Sequence, residues 1–149
     1  MKFRYCALVL VFVCLIGCTK SDPRKAGLVP ASGTITYNGL PLDNATIVFV
    51  PKDSSKQGAG ALSGIDGKFA LTTISDNDGA FPAEYSVYIL KEESIHISDE
   101  ELAELSRQGQ TPPTPKSLIP IQYTNPAEPI INLTIPPTGN KNLLIELKD

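Results

Sequence analysis

The thiol of Cys18 is the one side chain of this sequence whose neighbours indicate a specific chemical modification. It directly follows a Leu-Ile-Gly run at positions 15–17. Two basic residues occur within the first four positions, and an unbroken apolar run then spans residues 5–17. A basic start, a short apolar run and a small residue at its boundary are typical of an export signal rather than of folded structure. The sequence therefore predicts that residues 1–17 are a signal peptide.

The residues around Cys18 resemble the lipobox of bacterial lipoproteins. In that family the cysteine thiol is alkylated with diacylglycerol, and the cysteine becomes the N-terminus after cleavage. The resemblance implies that Cys18 is a lipid attachment site, that membrane lipid is a partner, and that the domain belongs to the cell envelope, in the periplasm or outside the cell. One acyl chain holds only marginally, whereas two or more hold stably. Thr19 stands where an aspartate would retain a lipoprotein at the inner membrane, so the resemblance favours the outer membrane.

Two other interpretations of the N-terminal run stay open, an uncleaved anchor and a plain signal peptide. A transmembrane helix needs roughly 20 apolar residues, and residues 5–17 supply 13. An ordinary signal peptidase favours small residues at two positions, and bulky Leu15 occupies one of them. Cys6 and Cys14 also lie in this run, but Val13 is too large to precede a cleaved cysteine. A lipoprotein peptidase fits best.

The composition after cleavage indicates a single acidic domain without disulfides. Removing residues 1–17 leaves 132 residues, with 11 basic and 16 acidic side chains and a net charge of −5. This balance excludes nucleic acid as a partner, because nucleic-acid binding needs clustered Lys and Arg. Cys18 is the one cysteine left in this chain, so neither a disulfide nor a cysteine-rich metal site is predicted. We predict a proline-containing tether over residues 18–31 and one domain over residues 32–149.

No other group of residues predicts catalysis or metal binding. His96 is the sole histidine, whereas catalytic zinc sites usually use more than one, and we interpret it as a solvated loop residue. The run 76–78 (Asp-Asn-Asp) resembles the start of a calcium loop, but the glutamate that completes such a loop is missing. An ordinary Asx turn is the favoured interpretation, with a weak calcium site as the alternative. We therefore predict no enzyme, no catalytic or cofactor-binding residues, no cofactor and no metal.

The body of the chain has the pattern of a β-sandwich. Six or seven short segments rich in β-branched and aromatic residues are separated by turn signals. The segments are residues 34–37, 45–51, 58–63, 68–73, 84–90, 130–135 and 143–147. Segment 45–51 is apolar at alternate and at intervening positions, so we expect a central strand that is covered on most of both faces. The last two segments are expected to form a hairpin, and the pattern favours a seven-stranded antiparallel sandwich.

One short helix is predicted as an insert in the sandwich. Ser98 and Glu101 have the spacing of a capping box, and acidic residues at 99–101 favour a helix N-terminus. Arg107 and Gly109 mark its end. A helix of about two and a half turns does not stand alone in water, so we expect it to dock on the sandwich or fray. A proline-rich loop to residue 115 completes the insert.

Five motifs resemble the carboxypeptidase-regulatory-like domain, which has a transthyretin-like, seven-stranded sandwich. They are SGTITYNGLPL at 32–42, ATIVFVP at 45–51, DGKF at 66–69, GAFPAEY at 79–85 and PKSLIPIQY at 115–123. Together they are similar to small planctomycete-type bacterial lipoproteins, over roughly residues 31–148. The resemblance implies a fold and a cellular setting but no activity. The hydroxyisourate hydrolases share this sandwich, but their several histidines and C-terminal Tyr-Arg-Gly-Ser are missing here.

We therefore expect a membrane-anchored, non-enzymatic module that contacts another protein or an envelope polysaccharide. Two surfaces are candidates, an exposed sheet edge that takes a partner strand and the insert at 98–115. The alternative is a carbohydrate-binding module. Such a site would use exposed aromatic side chains, for which Tyr37, Tyr88 and Tyr123 are the candidates.

Overall fold

The computed structural model describes residues 22–149, which form two β-sheets and one α-helix. The strands are β1 (Ala31–Tyr37), β2 (Leu40–Pro41), β3 (Thr46–Pro51), β4 (Ala59–Leu62), β5 (Lys68–Ala70), β6 (Ala83–Leu90), β7 (Ile131–Ile135) and β8 (Asn140–Leu147). The helix α1 spans Asp99–Arg107, and two 3₁₀ turns span Pro23–Lys25 and Ile121–Tyr123. The prediction of an all-β, sandwich-like domain with one short helix is confirmed. The described chain has eight strands, one of them only two residues long, instead of the seven predicted.

The two sheets have four strands each. In the first sheet, β8 pairs with one edge of β1 along its whole length. Strands β2 and β5 pair with different parts of the other edge of β1. In the second sheet the order is β4–β3–β6–β7, and every pair is antiparallel. Gly60 and Thr72 bridge the two sheets through N–H···O bonds of 2.9 and 2.8 Å. β7 and β8 are therefore the edge strands on the side of the molecule that lies opposite this bridge.

The predicted hairpin between residues 130–135 and 143–147 is wrong. β7 pairs with β6 in the second sheet, whereas β8 pairs in parallel with β1 in the first. Residues 136–139 carry the chain from one sheet to the other, closed by a 2.9 Å bond from the Gly139 N–H to the Pro136 carbonyl. Ile135 and Leu143 can then enter the core from opposite sheets, and both are buried. The parallel β1–β8 pair also overturns the prediction of a purely antiparallel sandwich.

β3 and β6 form the centre of the second sheet. β3 lies between β4 and β6, as its apolar sequence predicts. Alternate side chains of the two strands are fully buried in the core, namely Ile47, Phe49, Tyr85, Val87 and Ile89. The expectation that most of both faces of β3 is covered is wrong for the outer face, because Val50 is 45% exposed and Val48 is half-buried. The outward apolar residues of β3 thus belong to the molecular surface.

Three aromatic side chains fix the centre of the core. The ring of Phe49 lies 5.7 Å from that of Tyr85 at an interplanar angle of 69°, and 6.4 Å from that of Phe69. An edge-on pair such as Phe49–Tyr85 adds about 0.5–1.5 kcal/mol beyond burial of its area. The Tyr85 hydroxyl donates to the Phe81 carbonyl at 2.8 Å, which satisfies the polar atom of an otherwise buried ring. Phe69 and Tyr85 are thus core residues.

Residues 22–30, the tether segment, lie against the sandwich. The Val29 N–H donates to the Ala80 carbonyl at 2.9 Å, and the Ala80 N–H donates back at 3.1 Å. The Asn140 N–H donates to the carbonyl of Pro30 at 2.9 Å. Ala31, the last residue of the predicted tether, is buried and begins β1. The described part of the predicted tether is therefore attached to the folded domain by backbone hydrogen bonds.

The register of the strands gives the sandwich two distinct ends. At the tether end lie the tether segment, the loop at 52–58, residues 75–82 and the turn at 136–139. At the opposite end, the insert end, lie the turn at 38–39, residues 63–67, the chain from 91 to 129, and the last residues of β8. Seven residues of β1 at about 3.3 Å each separate the two ends by roughly 20 Å. The chain thus enters the domain opposite its helix.

Candidate interaction surfaces

The predicted insert at 98–115 is part of a longer segment, residues 94–115, which leaves the sandwich and returns to it at the same place. The Glu93 N–H donates to the Lys116 carbonyl at 2.9 Å, and the Leu118 N–H donates to the Lys91 carbonyl at 2.8 Å. These bonds form a short antiparallel bridge that continues from the end of β6. No residue from 94 to 115 is buried. The base of the insert is therefore part of the sheet, while the rest lies outside the core.

The helix α1 forms without burying any of its residues. Its N-terminus is capped as predicted, with the Ser98 hydroxyl accepting from the Glu101 N–H at 3.2 Å. Leu102 is 43% exposed, and Leu105 is half-buried. The carboxylates at 99–101 and 104 line the helix, and Arg107 lies 3.0 Å from Glu104. The helix thus presents an acidic surface with an uncovered apolar stripe.

A part-buried lysine fastens the base of the insert to the loop before β3. The Lys91 Nζ donates to the Asp43 carbonyl oxygen at 2.6 Å and lies 3.2 Å from its carboxylate Oδ1. The side chain of Lys91 is only 15% exposed. Its hydrogen bond, with a second from Asn44, holds the pKa of the Asp43 carboxyl below its usual range. Residue 91 is therefore fixed, and the insert starts from a rigid point.

Exposed apolar side chains concentrate at the insert end. Of the ten large apolar residues that are exposed in residues 22–149, six lie there besides Leu102 of the helix. These six, the apolar set, are Leu40, Leu62, Ile65, Leu90, Leu118 and Ile121. Ile65 is 89% exposed in a Gly-Ile-Asp-Gly turn, where a folded monomer gains nothing from a large aliphatic residue. Apolar residues gathered in this way mark interaction sites more often than scattered ones.

β8 offers an unpaired edge in the described part of the chain. The Asn38 N–H donates to the Leu147 carbonyl at 2.9 Å, so the odd-numbered residues from 143 to 147, beyond the register shift near the start of β8, point their backbone groups toward β1. The backbone groups of Leu144 and Glu146 then face away from the sheet. Leu144 is 59% exposed, and β8 contains no proline. This edge has the features that strand addition requires.

The three tyrosines predicted as carbohydrate contacts lie in different settings and do not form one site. Tyr123 is buried, and its hydroxyl donates to the Lys148 carbonyl at 3.0 Å. Tyr37 is half-buried, and its hydroxyl donates to the Asp149 carboxylate, which raises the pKa of Tyr37. Tyr88 lies on the outer face of the second sheet, opposite Val48. Of the three, Tyr88 alone has its ring on an outer sheet face.

The acidic run at 76–78 is a backbone-capping turn. The Asp78 carboxylate accepts from the N–H groups of Thr73 and Ser75 at 2.8 and 2.7 Å, and from that of Ile74 at 3.3 Å. Burial alone would raise the pKa of Asp78, but these hydrogen bonds and Lys25, 3.7 Å away, hold it below its usual range. The carboxylate is therefore occupied by the loop itself. In residues 22–149 no three His, Cys, Asp or Glu side chains are placed to share a metal ion, and His96 is exposed in the insert.

Cys18 and the signal segment at 1–17 lie outside the described residues, so lipid attachment stays a prediction. Within residues 22–149, no helix has the length and apolar character needed to span a membrane. The fold defines a class, an all-β domain of two sheets with one helical insert. Comparison of the chain with protein-family models, with curated proteins and with solved structures gives no match.

Proposed function

We propose that this protein is a lipid-anchored β-sandwich of the bacterial cell envelope that acts as a non-enzymatic interaction or structural module. In this proposal Cys18 carries the lipid, the fold is transthyretin-like, and the chain is a carboxypeptidase-regulatory-like lipoprotein of the planctomycete type. The observation that supports the interaction role most is the insert end. There an uncovered helix and six exposed apolar residues share one end of a rigid sandwich.

The insert end favours a protein partner with an apolar surface and a basic rim. Leu102 and the apolar set supply area whose burial is favourable at about 25 cal/mol per Å². Around them lie Glu92, Glu93 and the four carboxylates of α1. Acidic rims attract basic ones and speed association more than they raise affinity. The free edge of β8 is a second contact, suited to an extended partner segment.

The non-enzymatic role is supported by the structural roles of polar side chains that could otherwise take part in catalysis. Asp78 holds a loop, Asp43 holds Lys91, and Tyr123 holds the chain after β8. Each of these groups already has a structural hydrogen-bonding role. Catalysis instead needs a base and a nucleophile that face a substrate.

Carbohydrate binding is the alternative, and one observation favours it. Tyr88 lies beside Val48 on the outer sheet face, and Gly60 follows in the same row across β4. The glycine lies two strands from Tyr88 with Val48 between them, so this row of the sheet leaves space for a sugar ring to stack on the tyrosine. A Tyr88→Ala variant separates the two roles, because it abolishes glycan binding without changing contacts at the insert end.

Site-specific photo-crosslinking in the native envelope tests the proposal. A photoreactive amino acid at Leu102 is expected to trap one partner reproducibly, and the same probe at exposed Thr138 of the tether end is the matched control. The adduct at Leu102 should disappear when an excess of unlabelled protein competes. Equal adducts at both positions, or none at Leu102 in intact cells, would contradict an interaction role of the insert end.

A further inference from the structure

We infer that the tether end of the sandwich rests on a lipid bilayer and that the insert end points away from it. This inference rests on the proposed lipid anchor at Cys18. It adds the orientation of the domain, and hence the surfaces that face lipid and those that face partners.

The length of chain between the anchor and the fold restricts the orientation. Cys18 precedes Asp22 by four residues, which span at most about 14 Å when fully extended. Asp22 begins the tether segment, where its carboxylate accepts from the Arg24 N–H at 3.0 Å. Three residues further along, Lys25 lies 3.7 Å from Asp78 of the sandwich. The anchored point therefore cannot move far from the tether end.

Two glycines allow the tether segment to pack closely against the sandwich. A Cβ atom at Gly79 would lie 2.0 Å from the Val29 carbonyl oxygen, and one at Gly139 would lie 2.4 Å from that of Pro30. Both glycines have positive φ, +91° and +77°, which larger residues rarely adopt. The turns at 79 and 139 thus approach the segment more closely than any residue with a side chain allows. The attachment is a built feature of the fold.

The charge distribution favours the same orientation independently. Among residues 22–149, the tether end carries five basic and five acidic residues, so its net charge is zero: Arg24, Lys25, Lys52, Lys56 and Lys141 against Asp22, Asp53, Asp76, Asp78 and Glu84. The insert end carries five basic and eleven acidic residues, with a net charge of −6: Lys68, Lys91, Arg107, Lys116 and Lys148 against Asp43, Asp66, Glu92, Glu93, Asp99, Glu100, Glu101, Glu104, Glu128, Glu146 and Asp149. An anionic lipid surface repels the second end and leaves the first unopposed.

The consequence for function is a fixed distance between lipid and helix. The two ends are roughly 20 Å apart along β1, which exceeds the Debye length of about 8 Å at physiological salt. The insert and the apolar set are therefore held clear of the membrane surface. A soluble or envelope-bound partner can reach them without displacing lipid.

Fluorescence quenching by lipid tests the orientation. Once its own cysteine is acylated, the mature protein has no other thiol, so single cysteines label uniquely. Thr138→Cys and Ser54→Cys mark the tether end, and Thr111→Cys marks the insert; all three positions are exposed. Each labelled lipoprotein is reconstituted into vesicles of phosphatidylethanolamine and phosphatidylglycerol that contain a headgroup nitroxide quencher.

The expected result is several-fold stronger quenching at Thr138→Cys and Ser54→Cys than at Thr111→Cys. The contrast should grow as the phosphatidylglycerol fraction rises. Equal quenching at the three positions, or stronger quenching at the insert, overturns the orientation while the anchor stands. Mass spectrometry of the same samples separates the two proposals, because an unacylated Cys18 removes the anchor and the orientation together.

Discussion

Gly79→Ala is the substitution that tests most sharply how the chain enters the fold. Gly79 has φ +91°, and its N–H donates to the Leu71 carbonyl at 2.9 Å. A methyl group at this position meets the Val29 carbonyl oxygen at 2.0 Å and its carbon at 2.8 Å. These are backbone atoms, so no side-chain rotation relieves the contact. The tether segment has to move away from the sandwich.

The cost follows from the bonds that are lost. Separating Val29 from Ala80 removes two backbone hydrogen bonds at about 1 kcal/mol each. A left-handed backbone at alanine adds roughly 1–2 kcal/mol. The total, about 3–4 kcal/mol, corresponds to a Tm lower by roughly 10 °C for a domain of this size. The core residues of both sheets stay in place, so the unfolding transition stays cooperative.

The assay is thermal unfolding combined with hydrogen exchange, with Gly109→Ala as the control. Gly109 also has positive φ, +67°, but a Cβ there meets nothing within 4 Å, so its cost is limited to backbone strain of about 1–2 kcal/mol at the end of the exposed helix. Gly79→Ala should lower the Tm by roughly 10 °C and deprotect the Val29 and Ala80 amides, whereas Gly109→Ala should lower the Tm by about a few degrees at most and leave both amides protected. If the two variants melt together and both amides stay protected, the tether segment is not attached as described.

Three further predictions concern the insert and the loop at 73–78. Replacing residues 98–113 by a Gly-Ser linker should leave a cooperative unfolding transition within a few degrees of the wild-type Tm, because nothing buried is removed; a collapse of that transition in calorimetry would show that the insert is core structure. Ser98→Ala should cost about 1 kcal/mol of helix stability through the lost cap, seen as reduced helical circular dichroism at unchanged Tm, whereas Ser98→Asp retains the cap. The pKa of Asp78 is lower in the fold than in the unfolded chain, so its contribution to the free energy of unfolding is complete above the unfolded value of 3.8 and is lost as the pH falls through the folded pKa. Asp78→Asn should therefore weaken the domain near pH 7 and flatten this acid dependence in urea unfolding, and an unaltered pH profile would contradict the role given to the carboxylate.

Local patterns in the sequence predict the elements well. The alternation of β6 places Tyr85, Val87 and Ile89 in the core, as found. The capping spacing of Ser98 and Glu101 predicts the start of α1 to the residue. In both cases the interactions that decide the structure lie within a few positions of each other. Such local signals can be recognised in a single sequence.

Pairing between distant strands is what the sequence does not show. β1 and β8 are more than 100 residues apart, and their parallel pair depends on which strand covers which edge of the core. Two neighbouring apolar segments with a Pro-Pro-Thr-Gly turn predict a hairpin just as well. The apolar set was missed for a related reason. Leu40 directly follows a turn and Ile65 lies in one, and an exposed apolar residue at such positions is visible in the sequence. That both lie at the same end of the molecule follows only from the topology.

Mass spectrometry of the native protein, extracted from membranes with detergent, tests the central proposal most directly. We expect an N-terminal peptide that begins at Cys18, carries diacylglycerol through a thioether, and lacks residues 1–17. A protein that retains those residues, or whose Cys18 thiol reacts freely with maleimide, would contradict the lipid anchor and the envelope location together.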